Sequence, residues 1–442
     1  MPTKVIFSRL KALYSDQAAK VNYSECRIFA PKDTNHFIPM RNLFLLFVLF
    51  GFSLAGLAQK ITVSGKVIDK ETKEPLTFAS IGLKGKSIGT ISNLRGEFDF
   101  HIPNELRNDF LIINMLGYKT YEAPIWTLLD ARELIIEIEK SPFILDEVVI
   151  SDTLTGGDIL QIALSRVEQN YPMTPFLMYG FYRDLKKVGG TYISLLEAAV
   201  KIYDEDYKEP RNKNKLRERV ALQEVRRSIG YSSRFTSYFD NDNLLEVLLL
   251  HNSVRYRHFP HEQSFFEKIS RLKDSYFDGQ EIFILSHKGD YNLTVHVEKG
   301  TYAIMHIEYE EKGEDELTKR RGLESKLVNT KRVNDFKKYE GKYYINYISV
   351  DSKVNWYDIK TQELKFETEL QQTLLINEVL PNALGRINSN QRMKTYGLQY
   401  QDPPYNKNFW ESYNMIKESL LDRKIIEDLE KKGPLDKQFK DN

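Results

Sequence analysis

The chain has 442 residues, 41% of them apolar and 28% charged, which places it with globular proteins and away from disordered or fibrous ones. Its length exceeds what one hydrophobic core usually organises, so two domains are expected. With 63 Lys+Arg against 62 Asp+Glu the formal charge is +1, which lacks the basic excess that nucleic-acid binding requires, and no nucleic-acid partner is expected.

The first marked feature is Met40-Arg41-Asn42 followed by LFLLFVLFGFSLAGLA through Ala58. One positive charge, an apolar run of about a dozen residues, and the small residues Gly56 and Ala58 flanking Leu57 read as a secretory signal peptide over 40–58. Cleavage leaves Gln59 as the new N-terminus. The competing reading is a transmembrane anchor, for which the stretch is short and ends in a small-x-small site. The mature chain is therefore expected to have no transmembrane span, and to be exported to the periplasm or the outer membrane. Residues 1–39 are polar and mixed in charge, and read as a non-native upstream extension, with translation starting at Met40. Cys26, the single cysteine, then falls outside the mature chain, which excludes a disulfide, a thiolate nucleophile and a lipid-bearing cysteine.

From Lys60 to Lys140 short β segments alternate with turn residues: ITVSGKVID, PLTFASIGLKG, IGTISNL, GEFDFHI, DFLIINMLGY, KTYEAPI and ELIIEIEK. Seven strands at this spacing predict a sandwich over 59–140. Phe98, Phe100 and Ile102 share one face of their strand, with polar residues between them. The order SGKVIDKETKEPLTFASIGLKG, GTISNLRGEFDF and LIINMLGYKTYE resembles the carboxypeptidase-regulatory-like domain, a prealbumin-like β-sandwich of Bacteroidetes envelope proteins. The resemblance rests on Gly65, Pro75 and Ala79, on Gly89, Thr90, Asn93, Gly96 and Phe98, and on Gly117 and Tyr118. Asn93 and Gly96 suit a turn with an Asx hydrogen bond or positive φ, Phe98 fills the core, and Gly117 ends a strand. These are structural positions, and the resemblance brings no peptidase activity with it. SPFILDEVVIS, 141–151, resembles the segment leading from this domain into the plug of TonB-dependent receptors. Too little chain follows for a receptor barrel, so 141–155 reads as a linker.

The remainder, 156–442, reads as a larger α+β domain. GGDILQIALSRVEQNY carries Ile159, Leu160, Ala163, Leu164 and Val167 on one helical face, capped by Thr155 or Asp158 and ended by Pro172 and Pro175. FLMYGFYRDLKK and GTYISLLEAAVKIY predict a hairpin turning at Gly189-Gly190. A charge-dense stretch from Asp204 to Ser228 is expected to interrupt the strands, and NLLEVLLLHN at 243–252 to form a short helix. From Asp274 a strand meander follows, with tight turns at Asp278-Gly279, Lys299-Gly300 and Glu340-Gly341. The expected result is a curved antiparallel sheet, half-barrel-like, whose strand rhythm resembles lipoprotein carriers of the LolA type. The stripe Ile416, Leu420, Ile425, Ile426 and Leu429 predicts a helix docked on the body of the protein. The whole layout resembles an uncharacterised group of Bacteroidetes proteins.

Few residues of the chain fall into a pattern that carries chemistry. No histidine fits the His-x-x-Glu pattern of zinc carboxypeptidases, and Pro260 breaks the helix that His258 and His261 would need. His251, His258 and His261 remain the only metal candidates, set against loop or surface histidines. Gly85-Lys86-Ser87-Ile88-Gly89 fits a serine-hydrolase string, but strand follows strand there where the elbow requires a helix. Ser80 stands where a phosphate loop needs glycine. No catalytic residue and no cofactor is expected. The sequence reads as a non-enzymatic envelope protein with a protein partner. The alternatives are a periplasmic carrier whose Phe181, Tyr192, Phe283 and Tyr347 line a cavity for a hydrophobic ligand, and a hydrolase without a linear motif.

Overall fold

The structure is a computed structural model and describes residues 60–129, 131, 133–141, 154–228, 230, 234–239, 243–313, 316–393, 397–401, 404–417 and 420–440. The signal segment 40–58, the extension 1–39 with Cys26, and most of the 141–155 linker lie outside them.

The first seven strands are β1 (Lys60–Asp69), β2 (Ser80–Leu83), β3 (Gly89–Ile91), β4 (Glu97–Pro103), β5 (Phe110–Asn114), β6 (Tyr121–Pro124) and β7 (Ile135–Ile138). They form two sheets, β4-β1-β7 and β3-β2-β5-β6. β7 runs parallel to β1 and the other pairs are antiparallel. Alternation in β4 buries Phe98, Phe100 and Ile102 against Val63, Val67, Ile81, Leu111, Ile113 and Ile136, the sandwich core. β3 and β4 lie on one side of the sandwich, which leaves β6 and β7 on the other.

The chain re-enters at helix α1 (Gly156–Ser165). Thr155 accepts from the Asp158 backbone while Asp158 accepts from Thr155, a reciprocal capping box. A short turn, α2 (Val167–Asn170), follows before Pro172. The strands are β8 (Phe176–Val188), β9 (Thr191–Asp204), β10 (Arg219–Arg227), β11 (Ser270–Arg271), β12 (Ser275–Phe277), β13 (Gln280–Lys288), β14 (Tyr291–Glu298), β15 (Ile304–Lys312), β16 (Glu316–Arg320), β17 (Leu323–Tyr339), β18 (Lys342–Asp358) and β19 (Leu364–Leu380). Among the described residues they make one open twelve-stranded antiparallel sheet, ordered β10-β9-β8-β19-β18-β17-β15-β14-β13-β11, with β12 beside β13 and β16 beside β17. Positive φ at Gly189 and Gly190, at Asp278 and Gly279, and at Glu340 and Gly341 gives the two-residue turns that match strand twist. At Lys299-Gly300 the turn is longer than expected: Glu298 and Ala303 close it, and Tyr302 takes the positive φ. The charge-dense stretch also departs from expectation, since its second half is strand β10. Val220 and Val225 are buried in the main core there, and that burial outweighs the flanking charges.

Both faces of the large sheet are covered. One packs against α1, α3 (Leu244–Leu250) and α4 (Gln263–Phe266) through Phe176, Met178, Tyr182, Leu248, Phe265 and Phe283. The other receives the C-terminal segment, with α5 (Lys407–Glu411), α6 (Leu420–Glu430) and α7 (Leu435–Lys440), and the sandwich. Ile425, Leu429 and Phe439 bury themselves on Leu185 and Leu195, so the C-terminal stripe docks inward. Residues 58–442 form one compact unit.

Candidate functional site

Most of the sandwich positions singled out from the sequence have a local task. Asn93 Oδ1 accepts from the amides of Arg95 (2.8 Å) and Glu97 (2.9 Å), closing the turn before β4. Gly96 completes that turn with φ of 75°, and a Cβ there would lie 2.3 Å from the Val67 carbonyl. Gly65 makes room for Phe98: a Cβ would meet its ring at 3.1 Å. Pro75 bridges to Ile68, and Thr90 is buried opposite Ile81. Tyr118 donates to Asp69 Oδ2 at 2.7 Å. Hydrogen bonds from Thr72 and Tyr118 hold the Asp69 carboxyl well below its usual range. Burial, and then Asp69, push the Tyr118 hydroxyl up to about 12.

Two of these positions also reach beyond the sandwich, one to the C-terminal segment and one to the large sheet. Asn93 Nδ2 donates to the Lys417 carbonyl (3.2 Å), and the Gly117 amide donates to the Tyr276 carbonyl (3.0 Å). Around Asn93 the β3/β4 side is occupied. Asn414 accepts from the His101 amide (2.8 Å) and donates to its carbonyl (3.0 Å), capping the β4 edge as a strand would. Lys417 pairs with Asp99 at 2.8 Å, Ser87 Oγ donates to the Val379 carbonyl, and Ile91 packs on Tyr347 and Leu375. Exposed apolar groups occur on that side at Phe78 and Leu94, and the β6/β7 side carries its own. Phe110, Trp126 and Ile135 are 42%, 56% and 54% accessible.

The metal candidates do not converge. His258 stacks on Tyr256, and His261 faces Lys213 Nζ at 3.4 Å. His251 is pushed down to about 4 by burial and then by Arg332, whose cation also faces His258. A dication would meet like charge here. Among the described residues no three His, Cys, Asp or Glu side chains are placed to hold a metal.

Buried charge is spent on structure. Arg255, fully inaccessible, donates to both Asp204 oxygens at 2.6 and 3.0 Å and to the Lys208 carbonyl. Glu218 beside them accepts from Tyr256; burial and then repulsion from Asp204 push its carboxyl up to about 7. On the helix-covered face, Lys186 pairs with Asp184 at 2.7 Å. On the other face, Glu197 bridges Arg183 and Arg226 at 2.6 and 2.5 Å; burial opposes its ionisation, and the two guanidinium groups outweigh that. Arg183, Glu197 and Arg226 are cross-strand neighbours on β8, β9 and β10. Sequence reading missed this triad: the Gly189-Gly190 turn alone would set Arg183 opposite Leu196, and a register shift between Lys186 and Lys187 brings Glu197 there instead.

The four residues expected to line one cavity are dispersed. Phe283 lies in the helix-covered core, Phe181 packs on Trp410, Tyr347 on Ile91, and Tyr192 against the α6 contact.

Residues 63–150 match the family model of the CarboxypepD_reg-like domain. This part of the chain is a CarboxypepD_reg-like domain. The TonB-dependent receptor SusC of Bacteroides thetaiotaomicron is 32% identical over 108 residues, which cover 24% of this chain and 10% of the receptor. The match thus spans about a tenth of that relative's length. Among solved structures, a LolA superfamily protein from Nitrosomonas europaea is 13% identical over 52% of this chain and 96% of its own, with a TM-score of 0.17. The MucA/MucB complex of Pseudomonas aeruginosa gives 8%, 52%, 99% and 0.17. Scores this low leave the folds unequated, and the LolA-like strand rhythm carries no argument about function. Among the described residues no helix is long and apolar enough to cross a membrane.

Proposed function

We propose that this is an exported, non-enzymatic protein of the cell envelope, at the periplasm or outer membrane, that presents its CarboxypepD_reg-like sandwich to a protein partner. In this reading the chain divides into a sandwich at 59–140, a linker at 141–155 and an α+β domain at 156–442 that holds the sandwich in place. The observation that carries it is the asymmetry of the sandwich. The β4 edge is capped by Asn414 and β3 is packed on Tyr347 and Leu375, while β6 and β7 face away with Phe110, Trp126 and Ile135 exposed. Exposed apolar groups beside strand edges that no other strand covers among the described residues are the features by which β domains take partners. The similarity to the N-terminal part of a TonB-dependent receptor supports an envelope location.

Support for the non-enzymatic part comes from the buried carboxylates. Asp204, Glu197, Asp184 and Glu218 are each committed to an arginine, lysine or tyrosine. A carrier on the helix-covered face would have to open a surface where Phe283 is 3% accessible and Leu285 and Val295 are sealed. Chemical crosslinking in intact envelopes tests the proposal. A discrete heteromeric adduct is expected, and recovery of free monomer alone would overturn it.

A further inference from the structure

The two sheets of the sandwich leave four strand edges, β4 and β7 in one and β3 and β6 in the other. An open edge shows a row of backbone donors and acceptors, and folds blunt it with a cover, a cap or a proline. Three of these edges are blunted. Asn414 bonds both the amide and the carbonyl of His101 on β4. β3 lies against β19, with Ser87 Oγ donating to the Val379 carbonyl. On β6 the Ile125 amide donates to the Asp109 carbonyl, so 121, 123 and 125 spend their backbone on β5 while Glu122 and Pro124 turn theirs outward. Pro124 has no N–H to offer.

β7 carries no such device among the described residues. The Lys66 amide donates to the Leu134 carbonyl at 2.8 Å and the Lys70 amide to the Ile138 carbonyl at 2.9 Å. In this parallel register Ile136 and Ile138 spend their backbone on β1, and Ile135 and Glu137 turn both N–H and C=O outward. No strand covers those groups among the described residues. Just beyond them the chain itself pairs along the same edge: the Lys119 amide donates to the Glu139 carbonyl at 2.9 Å, and Tyr118 bridges antiparallel to Lys140. The edge is therefore competent to take an extended segment, and its open stretch ends there. The Ile135 side chain, 54% accessible, stands beside that stretch. Glu137 and Glu139 are paired with Lys73 and Lys119 at 2.7 and 3.1 Å, so backbone and apolar contact, not charge, select what binds.

We infer that the partner adds an extended segment to the β7 edge, bonding the N–H and C=O groups of Ile135 and Glu137 and setting an apolar residue beside Ile135. A helix cannot meet donors and acceptors laid out at strand spacing, so the partner's contact segment is a strand. The inference rests on the proposed partner reading and narrows it from the β6/β7 side to one edge.

The test uses the full chain in intact cells with a photoreactive residue in place of Trp126, scored by the yield of its intermolecular adduct. Glu137→Pro removes an outward donor, leaves the bonds to β1 in place, and puts a ring in the path of an added strand; it should cut the yield at least tenfold. Glu137→Gln keeps the donor and should leave the yield unchanged, as should Glu122→Pro on the β6 edge. Ile135→Asp, at an exposed position, should lower the yield severalfold and decides the outcome if Glu137→Pro does not fold. Parental yield in a Glu137→Pro chain that melts as the parent does, or in Ile135→Asp, would overturn the inference and leave the partner reading standing. An equal fall in Glu122→Pro, or a fall in Glu137→Gln, would do the same. No adduct from the parent chain would overturn the partner reading and this inference together.

Discussion

Arg255→Met is the substitution whose consequence the structure fixes most tightly. Arg255 follows α3 and pins the end of β9, through Asp204, to the loop at Lys208. The side chain is inaccessible and Asp204 is 2% accessible, so methionine leaves a carboxylate buried without its counter-charge. Breaking such a pair from one side costs about 3–5 kcal/mol. The compact unit has roughly 385 residues. At about 2.1 cal/mol/K per residue its unfolding entropy is near 0.8 kcal/mol/K, so the melting midpoint should fall by roughly 4–6 °C. Adding Asp204→Asn removes the stranded charge and should restore part of the loss. Differential scanning calorimetry on wild type, the single variant and the double variant reads this directly. A single variant within a degree of wild type would refute the reasoning, as would a double variant less stable than the single.

Other outcomes follow from the same geometry. Glu218, raised to about 7 from 4.5, binds its proton more tightly in the folded state. Its contribution is therefore complete below pH 4.5 and lost as pH rises to 7; Glu218→Gln should flatten the stability profile in that window, measured by urea midpoints across pH. Asn414→Ala removes both hydrogen bonds at the β4 edge and should cost about 1–2 kcal/mol. Hydrogen exchange at the His101 amide should accelerate, whereas unchanged protection would refute the capping role. Gly96→Ala forces a Cβ against the Val67 carbonyl at positive φ and should lower the melting temperature more than Gly85→Ala, whose Cβ would meet nothing within 4 Å.

Local features were legible in the sequence because local physics writes them. The alternation of Phe98, Phe100 and Ile102, the Thr155–Asp158 cap and the Gly189-Gly190 turn each follow from residues a few positions apart. β10 was hidden because Arg219, Glu224, Arg226 and Arg227 weigh on its composition, while Val220 and Val225, with Leu222 partly buried, mark its buried face. The cap of Asn414 on His101 joins residues 313 positions apart, and no local pattern announces it. The coverage of both sheet faces was illegible for the same reason, and it is what scatters Phe181, Tyr192, Phe283 and Tyr347. The Arg183–Glu197–Arg226 triad was illegible twice over: a register shift between Lys186 and Lys187 sets Arg183 opposite Glu197 where the turn alone would offer Leu196, and β10 had to be recognised before Arg226 could join.

The most direct test of the central claim is site-specific photocrosslinking in intact cells, with a photoreactive residue at Trp126 in one variant and at Ile416 in another. Trp126 lies on the open β6/β7 side, while Ile416 packs into the Tyr347 and Leu375 contact. A discrete intermolecular adduct from position 126, absent from position 416, is the predicted result. Intermolecular adducts from neither position, or equally from both, would contradict the account.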